Sequence, residues 1–469
     1  MVQTRTEHDL IGQKDVPADR YFGIQTLRAV ENFNITGIPI SHYPNLICSL
    51  AYIKKAAAMA NQQLGLLAPD LAAAIIRACD EILGGKLHAE FVVDVIQGGA
   101  GTSTNMNANE VIANRALEIL GREKGQYSLL HPLNHVNMSQ STNDVYPTAL
   151  RLTLSMKLDG LVGEMEGLQK SLQAKGEEFA GVLKVARTQL QDAIPITLGQ
   201  EFHAYAVMVG EDIQRVKEAQ TLIREINLGA TAIGTGLNSH PDYAALVTKL
   251  LRDLTGIPVI ESQNLVEATQ DAGGYVQLSG VLKRVAVKLS KICNDLRLMS
   301  SGPRAGFNEI NLPAVAPGSS IMPGKVNPVI PEVVNQVAFE VIGNDITVTM
   351  AAEAGQLELN AFEPVIAYNL FTSIDMLSRA CRTLVDRCIH GITANREHCR
   401  RQVENSIGLV TALNPYIGYE KSTEIAAEAL RTGKSVYDIV LEKGYLSKEV
   451  LDDLLSPEKM TRPRKIKRS

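Results

Sequence analysis

The sequence predicts a mainly α-helical protein, in which a long central helix bundle is flanked by smaller N- and C-terminal domains. Apolar residues recur in alternating steps of three and four over several long segments, which is the pattern of helices with a continuous apolar seam. No comparably long run shows the alternation of a half-buried strand. The chain has 469 residues, of which 45% are hydrophobic, so it can bury a large core in about three domains.

Four segments carry this helical repeat. Their seams are Leu154, Leu158, Leu161, Met165, Leu168 and Leu172; Phe202, Val209, Ile213, Val216 and Ile223; Leu278, Leu282, Val285, Leu289, Ile292, Leu296 and Met299; and Leu370, Ile374, Leu377, Cys381, Leu384 and Cys388. The third segment ends at the helix breaker Gly302-Pro303. The seams predict core packing in a bundle, and several helices that are apolar on more than one side predict contacts between subunits.

The composition argues against partners that require strong charge or an apolar span. The net charge is −5 and the isoelectric point is near 6.0, so no nucleic-acid footprint is present. No run of eighteen apolar residues occurs, and the N-terminus lacks an apolar signal core. We therefore expect a cytoplasmic protein with no membrane partner. The basic segment from Arg462 to Arg468 is predicted to be a solvated, disordered tail.

The six cysteines form no Cys-x-x-Cys pair, and they are expected to be reduced, buried thiols. Cys381 and Cys388 are separated by about 10 Å of helical rise, which is too far for a disulfide. His131 and His135 have the spacing of a metal-binding pair, but Pro132 makes that segment a poor helix and no third ligand is nearby. No metal site is expected.

Residues 318–328, GSSIMPGKVNP, are the most informative segment of the chain. The two glycines and two prolines predict a shaped loop. Its side chains suit a small dicarboxylic acid, because Lys325 offers a point charge while Asn327 and Ser320 offer hydrogen-bond donors. Ser319 then remains for chemistry. From composition alone, a surface turn with a stray lysine fits equally well.

Three further segments are rich in small polar residues: 98–107 (GGAGTSTNMN), 135–144 (HVNMSQSTND) and 187–193 (RTQLQDA). Hydroxyls at Thr102, Ser141 and Thr142 could bind a carboxylate together with backbone amides of the glycine run. An ordinary glycine turn explains the first segment equally well, and Gly-Lys-Ser/Thr does not follow it, so it is not a phosphate-binding loop of the Walker type. A helix N-cap explains Ser141 to Asn143 on their own.

Taken together and in this order, the four segments resemble the active-site regions of the fumarase/aspartase superfamily, and GSSIMPGKVNP resembles its signature loop. The similarity extends from about Asp9 to about Pro457. Within the superfamily, the chain is most similar to the members that eliminate ammonia from aspartate. The segments that favour this branch are 229–238 (GATAIGTGLN), 327–336 (NPVIPEVVNQ) and 350–357 (MAAEAGQL).

The resemblance implies a homotetramer built around a twenty-helix bundle, with five long helices from each subunit. It also implies an N-terminal lyase domain over residues 1–140, the bundle domain with the signature loop over residues 141–395, and a small helical C-terminal domain over residues 396–469. Active sites would be shared between subunits, because motifs at opposite ends of helices about 37 Å long cannot easily meet within one chain.

The resemblance further assigns roles to individual residues. Ser319 would be the general base, and Lys325 and local loop amides could stabilise its alkoxide. Thr188, Lys325 and Asn327 would hold the α-carboxylate of the substrate, while Asn143 and Gln189 would line the pocket for its amino group. A dianionic aci-carboxylate intermediate would need focused donors. These would be the hydroxyls of Thr102, Ser141, Thr142 and Ser320.

The implied reaction is the reversible conversion of L-aspartate to fumarate and ammonia without a cofactor. Fumarases carry histidine at the position of Gln189, and loss of that ionisable ring favours ammonia release over hydration, since hydroxide requires an acid to leave. Ala186 departs from the glycine that is usual in the superfamily. No Ala-Ser-Gly tripeptide is present to form an internal electrophile, and Lys325 lacks the context of a Schiff-base lysine. The alternatives are a fumarate hydratase and a catalytically silent homologue with a structural role.

Overall fold

Long α-helices dominate the computed structural model of the protein, which describes residues 3–463 apart from the side chain of Glu458. The mainly α-helical fold class is confirmed. The prediction for the basic tail falls mostly on residues 464–469, which lie outside the described residues. The helices are α1 Ile24–Asn32, α2 Pro44–Gln63, α3 Pro69–Leu83, α4 Thr102–Ile119, α5 Thr142–Glu178, α6 Leu198–Leu222, α7 Tyr243–Thr255, α8 Leu265–Ala268, α9 Gly273–Met299, α10 Val329–Glu353, α11 Glu363–Arg387, α12 Arg396–Asn405, α13 Val410–Ile417, α14 Tyr419–Thr432, α15 Val436–Glu442, α16 Lys448–Leu454 and α17 Pro457–Met460.

The described strands form four two-stranded sheets, and three of these are antiparallel. The parallel pair consists of the two-residue strands β5 and β6. The strands are β1 Thr4–Asp9, β2 Gly12–Pro17, β3 Leu183–Thr188, β4 Gln191–Thr197, β5 Glu225–Ile226, β6 Ile260–Glu261, β7 Ile310–Asn311 and β8 Thr393–Ala394. In the β3–β4 hairpin Thr188 pairs with Gln191, so Gln189 and Leu190 form a two-residue turn.

The predicted seams lie in helices α5, α6, α9 and α11, except that Ile223 and Cys388 directly follow the ends of α6 and α11. Every residue named for the seams is buried. Helix α9 ends at Met299, just before the breaker at Gly302-Pro303. Helix α10 is a fifth long helix, with 25 residues. Its apolar residues lie on most of its faces, so no single seam marked it in the sequence.

The chain divides into two compact units. Unit 1 comprises the chain up to Val162, Gln214–Arg284 and Glu340–Met376, and unit 2 comprises Gly163–Ile213, Val285–Phe339 and the chain from Leu377. Each of the five long helices contributes residues to both units. The division into three domains at residues 140 and 395 stays a prediction.

Each unit has its own apolar interior. In unit 1, helix α2 packs against α3 and α7, and α3 packs against α4. In unit 2, the C-terminal helices enclose a cluster of apolar side chains that also takes in Val185 of β3. Five of the six cysteines are buried, Cys48 is partly exposed, and all six are free thiols as predicted. Across residues 3–463 no helix is both long and apolar enough to cross a membrane.

Candidate active site

In unit 1, a left-handed turn leads into helix α4 and positions Thr102 at its first residue. Gly99, Ala100 and Gly101 have φ angles of 88°, 54° and 90°. A Cβ atom at residue 101 would lie 2.3 Å from the ring of Tyr146, so this position requires glycine. The exposed Thr102 hydroxyl donates to the Gly99 carbonyl at 2.7 Å. The segment is therefore a shaped turn that presents Thr102 to solvent.

The start of helix α5 is capped reciprocally by Ser141 and Asp144. The Ser141 hydroxyl accepts the N–H of Asn143 at 3.2 Å, and the Asp144 carboxylate accepts the N–H of Ser141 at 2.9 Å. The capping interpretation left open by the sequence is therefore correct. Ser141, Thr142 and Asn143 remain half-buried, so capping does not remove them from contact with a ligand.

A fully buried lysine links these two segments. Lys54 Nζ donates to Asn105 Oδ1 at 2.7 Å and to the side-chain oxygens of Asn137 and Gln140 at 2.9 Å each. Asn105 Nδ2 in turn donates to the Thr142 hydroxyl at 3.1 Å. Because Asn105 lies one helical turn after Thr102, the network fixes both segments in one part of unit 1. Burial lowers the pKa of Lys54 to about 7, against the opposing charge of Asp144.

Sequence reasoning missed Lys54. It stands beside Lys55 in an alanine-rich stretch of α2, and nothing in the pattern separates the two lysines. The structure does separate them, because Lys55 pairs with Asp80 at the surface of unit 1. A buried ammonium can persist only when oxygen atoms satisfy its donors, and those atoms come from α4 and from the turn before α5.

The segment Gly229–Asn238 lies against the start of α5. In the sequence this segment indicated only the branch of the superfamily. The buried Asp144 carboxylate accepts the N–H groups of Gly229 and Thr231 at 3.1 and 3.0 Å. Asn143 Nδ2 donates to the Ala232 carbonyl at 2.7 Å. Burial raises the pKa of Asp144 to about 7, while the three backbone N–H groups that it accepts oppose the rise.

In unit 2, Thr188 and Gln189 lie at the exposed tip of the β3–β4 hairpin. Gln189 and Leu190 both adopt positive φ angles, 54° and 61°, as a type I′ turn requires. Such turns usually contain Asn-Gly, so two larger side chains here place strain at the tip. Strained backbone of this kind is concentrated at functional sites.

The base of the hairpin is held by buried charge. Arg187 pairs with the fully buried Glu309 at 2.5 Å, and its guanidinium lies 4.0 Å from the centre of the Phe307 ring. Lys184 lies 2.9 Å from the second oxygen of Glu309. Arg187 therefore anchors the hairpin in unit 2, and the neighbouring residues Thr188 and Gln189 are left free at the tip.

The loop 318–328 is exposed in unit 2 and closes on itself at its base. Gly318 N donates to the Lys325 carbonyl, and Asn327 Nδ2 donates to the Gly318 carbonyl, both at 2.8 Å. A Cβ at residue 318 would lie 2.4 Å from that Lys325 carbonyl, so only glycine fits there. Ser320 and Lys325 are exposed, and among the described residues neither side chain has a hydrogen-bond or ion-pair partner.

Ser319 lies inside this loop, where its hydroxyl oxygen accepts two backbone N–H groups. Ile321 N donates to it at 3.2 Å and Met322 N at 3.0 Å. The oxygen thus accepts two N–H groups, and its own O–H proton is not needed for either bond. This geometry suits a hydroxyl that becomes an alkoxide.

The structure thus places the predicted residues in three groups. Thr102, Ser141, Thr142 and Asn143 are joined through Asn105 in unit 1. Thr188 and Gln189 form the hairpin tip in unit 2, and Ser319, Ser320, Lys325 and Asn327 form the loop of that unit. No hydrogen bond or ion pair between the described residues joins the hairpin tip to the loop.

This helical fold belongs to a family of lyases. Residues 12–343 match the family model described as Lyase, and residues 409–462 match the one described as Fumarase C C-terminus. The aspartate ammonia-lyase of Helicobacter pylori (strain ATCC 700392 / 26695) is 61% identical over 464 residues, 99% of each chain.

Solved structures show the same fold over nearly the whole chain. The fumarate lyase:delta crystallin of Brucella melitensis, bound to cobalt, superimposes with a TM-score of 0.96 at 56% identity, covering 98% of this chain and 100% of that one. The class II fumarase of Schistosoma mansoni has a TM-score of 0.93 at 35% identity, covering 99% and 100%. The chain belongs to the fumarase/aspartase superfamily of lyases, as its motifs predicted.

Proposed function

We propose that the protein is an aspartate ammonia-lyase, which converts L-aspartate reversibly to fumarate and ammonia by general-base β-elimination through an aci-carboxylate intermediate. The relative at 61% identity carries this name, whereas the fumarase is only 35% identical. The proposed chemistry rests on one observation. On an exposed loop, the Ser319 hydroxyl oxygen accepts the backbone N–H groups of Ile321 and Met322.

Ser319 is proposed to remove the proton from the carbon next to the side-chain carboxylate of aspartate. A serine is a weak base unless its alkoxide is stabilised. The N–H groups of Ile321 and Met322 point at the oxygen and would gain strength as negative charge develops there. Lys325 lies on the same loop. When its ammonium binds a carboxylate of the substrate, it would add positive charge near the developing alkoxide.

The charge that leaves the carbon must spread into the neighbouring carboxylate. Ser141 and Thr142 suit this task, because each hydroxyl oxygen already accepts an N–H, from Asn143 and Asn105 respectively, which leaves its O–H free to donate outward. Both stand at the N-terminus of a 37-residue helix, where the backbone dipoles favour an anion. Thr102 and Ser320 would supply further hydroxyls.

The remaining groups of the substrate would be held by amides and a cation. Thr188, Lys325 and Asn327 are proposed to bind the α-carboxylate; Asn327 uses one N–H to close its loop and retains a second. Asn143 and Gln189 are proposed to bind the amino group. Gln189 cannot protonate a leaving group, which suits neutral ammonia and disfavours hydroxide.

The proposed enzyme is a homotetramer whose active sites combine motifs from different subunits. Helix α10 supports association, because it exposes Phe339, Ile346 and Met350 at 64%, 59% and 67% along one helix. Helix α5, between the motif at 141–143 and that at 188–189, is about 55 Å long by the α-helical rise of its 37 residues. We also propose a cytoplasmic location, which suits six free thiols.

The proposal is tested by offering aspartate, malate, argininosuccinate and adenylosuccinate separately and following the absorbance of fumarate. We expect fumarate from aspartate together with one equivalent of ammonia. Faster formation from malate would identify a fumarate hydratase instead. Absence of turnover on all four substrates, with an intact tetramer, would leave a silent homologue.

A further inference from the structure

The side-chain amide of Asn143 has a fixed orientation. Its Nδ2 atom donates to the Ala232 carbonyl at 2.7 Å. A carbonyl oxygen can only accept, so the amide nitrogen must face it, and the amide oxygen Oδ1 must point the other way. Among the described residues, no group donates to Asn143 Oδ1. The structure therefore presents an acceptor oxygen, on a half-buried side chain, beside Ser141 and Thr142.

The Ala232 carbonyl is itself held in place by Asp144. The carboxylate accepts the N–H groups of Gly229 and Thr231, and Thr231 immediately precedes Ala232. Thr231 has a φ of 58°, which is unfavourable for a β-branched residue and persists only where the surroundings hold it. Asp144 is fully buried, so these two hydrogen bonds are shielded from water.

A second hydrogen bond joins the same two segments. Asn227 Nδ2 donates to the main-chain carbonyl of Asn143 at 3.0 Å. The start of α5 and residues 227–232 are thus connected by bonds in both directions. A shift of the Ala232 carbonyl would release the Asn143 amide, which could then rotate and present two N–H donors in place of its oxygen.

We propose that Asp144 is a positioning residue that, through the Ala232 carbonyl, turns Asn143 Oδ1 toward the amino group of the substrate. The proposal rests on the proposed function and adds to it the reason why this end of the site accepts a cationic donor. An acceptor oxygen attracts an ammonium group, which has three N–H donors and no acceptor. The rotated amide would repel it.

The test compares Asp144→Asn with the wild type in the direction of aspartate synthesis. Asparagine keeps the size of the side chain but places an NH₂ group against at least one of the N–H groups that the carboxylate accepts. We expect the KM for ammonium to rise about tenfold or more, while the KM for fumarate changes less than about twofold. A merely structural defect would lower kcat or raise both KM values together.

The matched control is Glu110→Gln. Glu110 is also a buried carboxylate of unit 1, and it accepts only N–H and O–H donors, from residues 23–26 at the start of α1. We expect this variant to lose stability with an unchanged ratio of the two KM values. An equal change of that ratio in both variants would overturn the proposal.

A second variant keeps the test decisive if Asp144→Asn does not fold. Asn143→Leu removes the acceptor from a half-buried position at the helix start, and it should raise the KM for ammonium at least as strongly. An unchanged KM for ammonium in Asn143→Leu would overturn the inference while leaving the proposed activity intact. A wild-type protein that forms no fumarate from aspartate would overturn the proposed function and this inference with it.

Discussion

The hydroxyl oxygen of Ser319 accepts the backbone N–H of Met322 at 3.0 Å, three residues further along an exposed loop. The N–H of Ile321 points at the same oxygen from 3.2 Å. Glycines at 318 and 324 allow the loop to bend around the serine, with Gly324 at a φ of 82°. The backbone N–H groups of the loop itself therefore serve as hydrogen-bond donors to a developing alkoxide.

Replacing Ser319 with alanine should abolish proton removal while leaving the fold unchanged. The side chain bonds only to its own loop, so the free energy of unfolding should shift by less than about 0.5 kcal/mol. Loss of the base should lower kcat by about 10²- to 10⁴-fold. Steady-state kinetics and urea unfolding measure the two effects. Ser171→Ala is the control for a half-buried serine of the same unit. Near-normal turnover by Ser319→Ala would remove Ser319 from the role of base.

Lys325 is expected to bind the α-carboxylate in the ground state as well as the transition state. Lys325→Ala should then raise the KM for aspartate by about ten- to a hundredfold, the usual cost of a lost charged hydrogen bond, with a smaller fall in kcat. Lys325→Arg keeps the charge with a different shape and should recover part of the affinity. Unchanged kinetics in Lys325→Ala would mean that this lysine only faces solvent.

The hairpin tip should be more stable when its strain is relieved. Leu190 has a φ of 61° and is 66% exposed, so its side chain contributes little packing within the chain. Leu190→Gly should gain about 1–2 kcal/mol from the backbone and lose about 0.5–1 kcal/mol through a more flexible unfolded state. Leu190→Ala, the control, keeps the strain and should gain nothing. A lower urea midpoint for Leu190→Gly than for Leu190→Ala would show that the turn is unstrained, because only the entropy cost of glycine would then remain.

The two buried groups Lys54 and Asp144 should together make a contribution to the free energy of unfolding that is smallest near pH 7. Burial raises the pKa of Asp144 from 3.8 to about 7, so between those values the folded state binds more protons and stability falls as pH rises. Burial lowers the pKa of Lys54 from 10.5 to about 7, so above pH 7 the unfolded chain binds more protons and stability rises with pH.

This dependence is measured as a difference between two proteins. Urea unfolding of the wild type and of the double variant Lys54→Met/Asp144→Asn is followed from pH 5 to pH 9, which cancels groups that titrate in both. The wild-type advantage in free energy of unfolding should be smallest near pH 7 and larger on either side. A difference that is constant with pH would contradict the two shifted pKa values.

The sequence was most informative where a repeat is long. The seams of α5, α6, α9 and α11 were predicted residue by residue, because a period near 3.5 leaves few alternatives over about five or six turns. The apolar repeat did not predict helix α10, because apolar residues lie on most of its faces and form no single seam. Packing within one subunit would require an apolar seam on one face only. The glycine, serine and lysine of the loop 318–328 could be predicted as a site because their residue types imply both a shape and a chemistry.

Residues that act through buried contacts could not be predicted in the same way. Lys54 and Lys55 are indistinguishable in sequence, and only the arrangement of α2, α4 and the turn before α5 buries the first. The connection of Asp144 to Gly229 and Thr231 spans more than 80 residues of chain, so no local pattern contains it. Such long-range hydrogen bonds depend on the completed fold.

The final prediction concerns the assembly of the active site from different subunits. Thr188 stands at the exposed end of β3 and Ser319 in an exposed loop, so Thr188→Val and Ser319→Ala should each fold and assemble while being inactive alone. If one site takes Thr188 from one subunit and Ser319 from another, random mixed tetramers will contain about a quarter of sites with neither defect. Refolding the two variants together should then recover about a quarter of wild-type activity. Each variant refolded by itself is the control. Mixed tetramers verified by mass that remain inactive would place both residues of every site in one subunit.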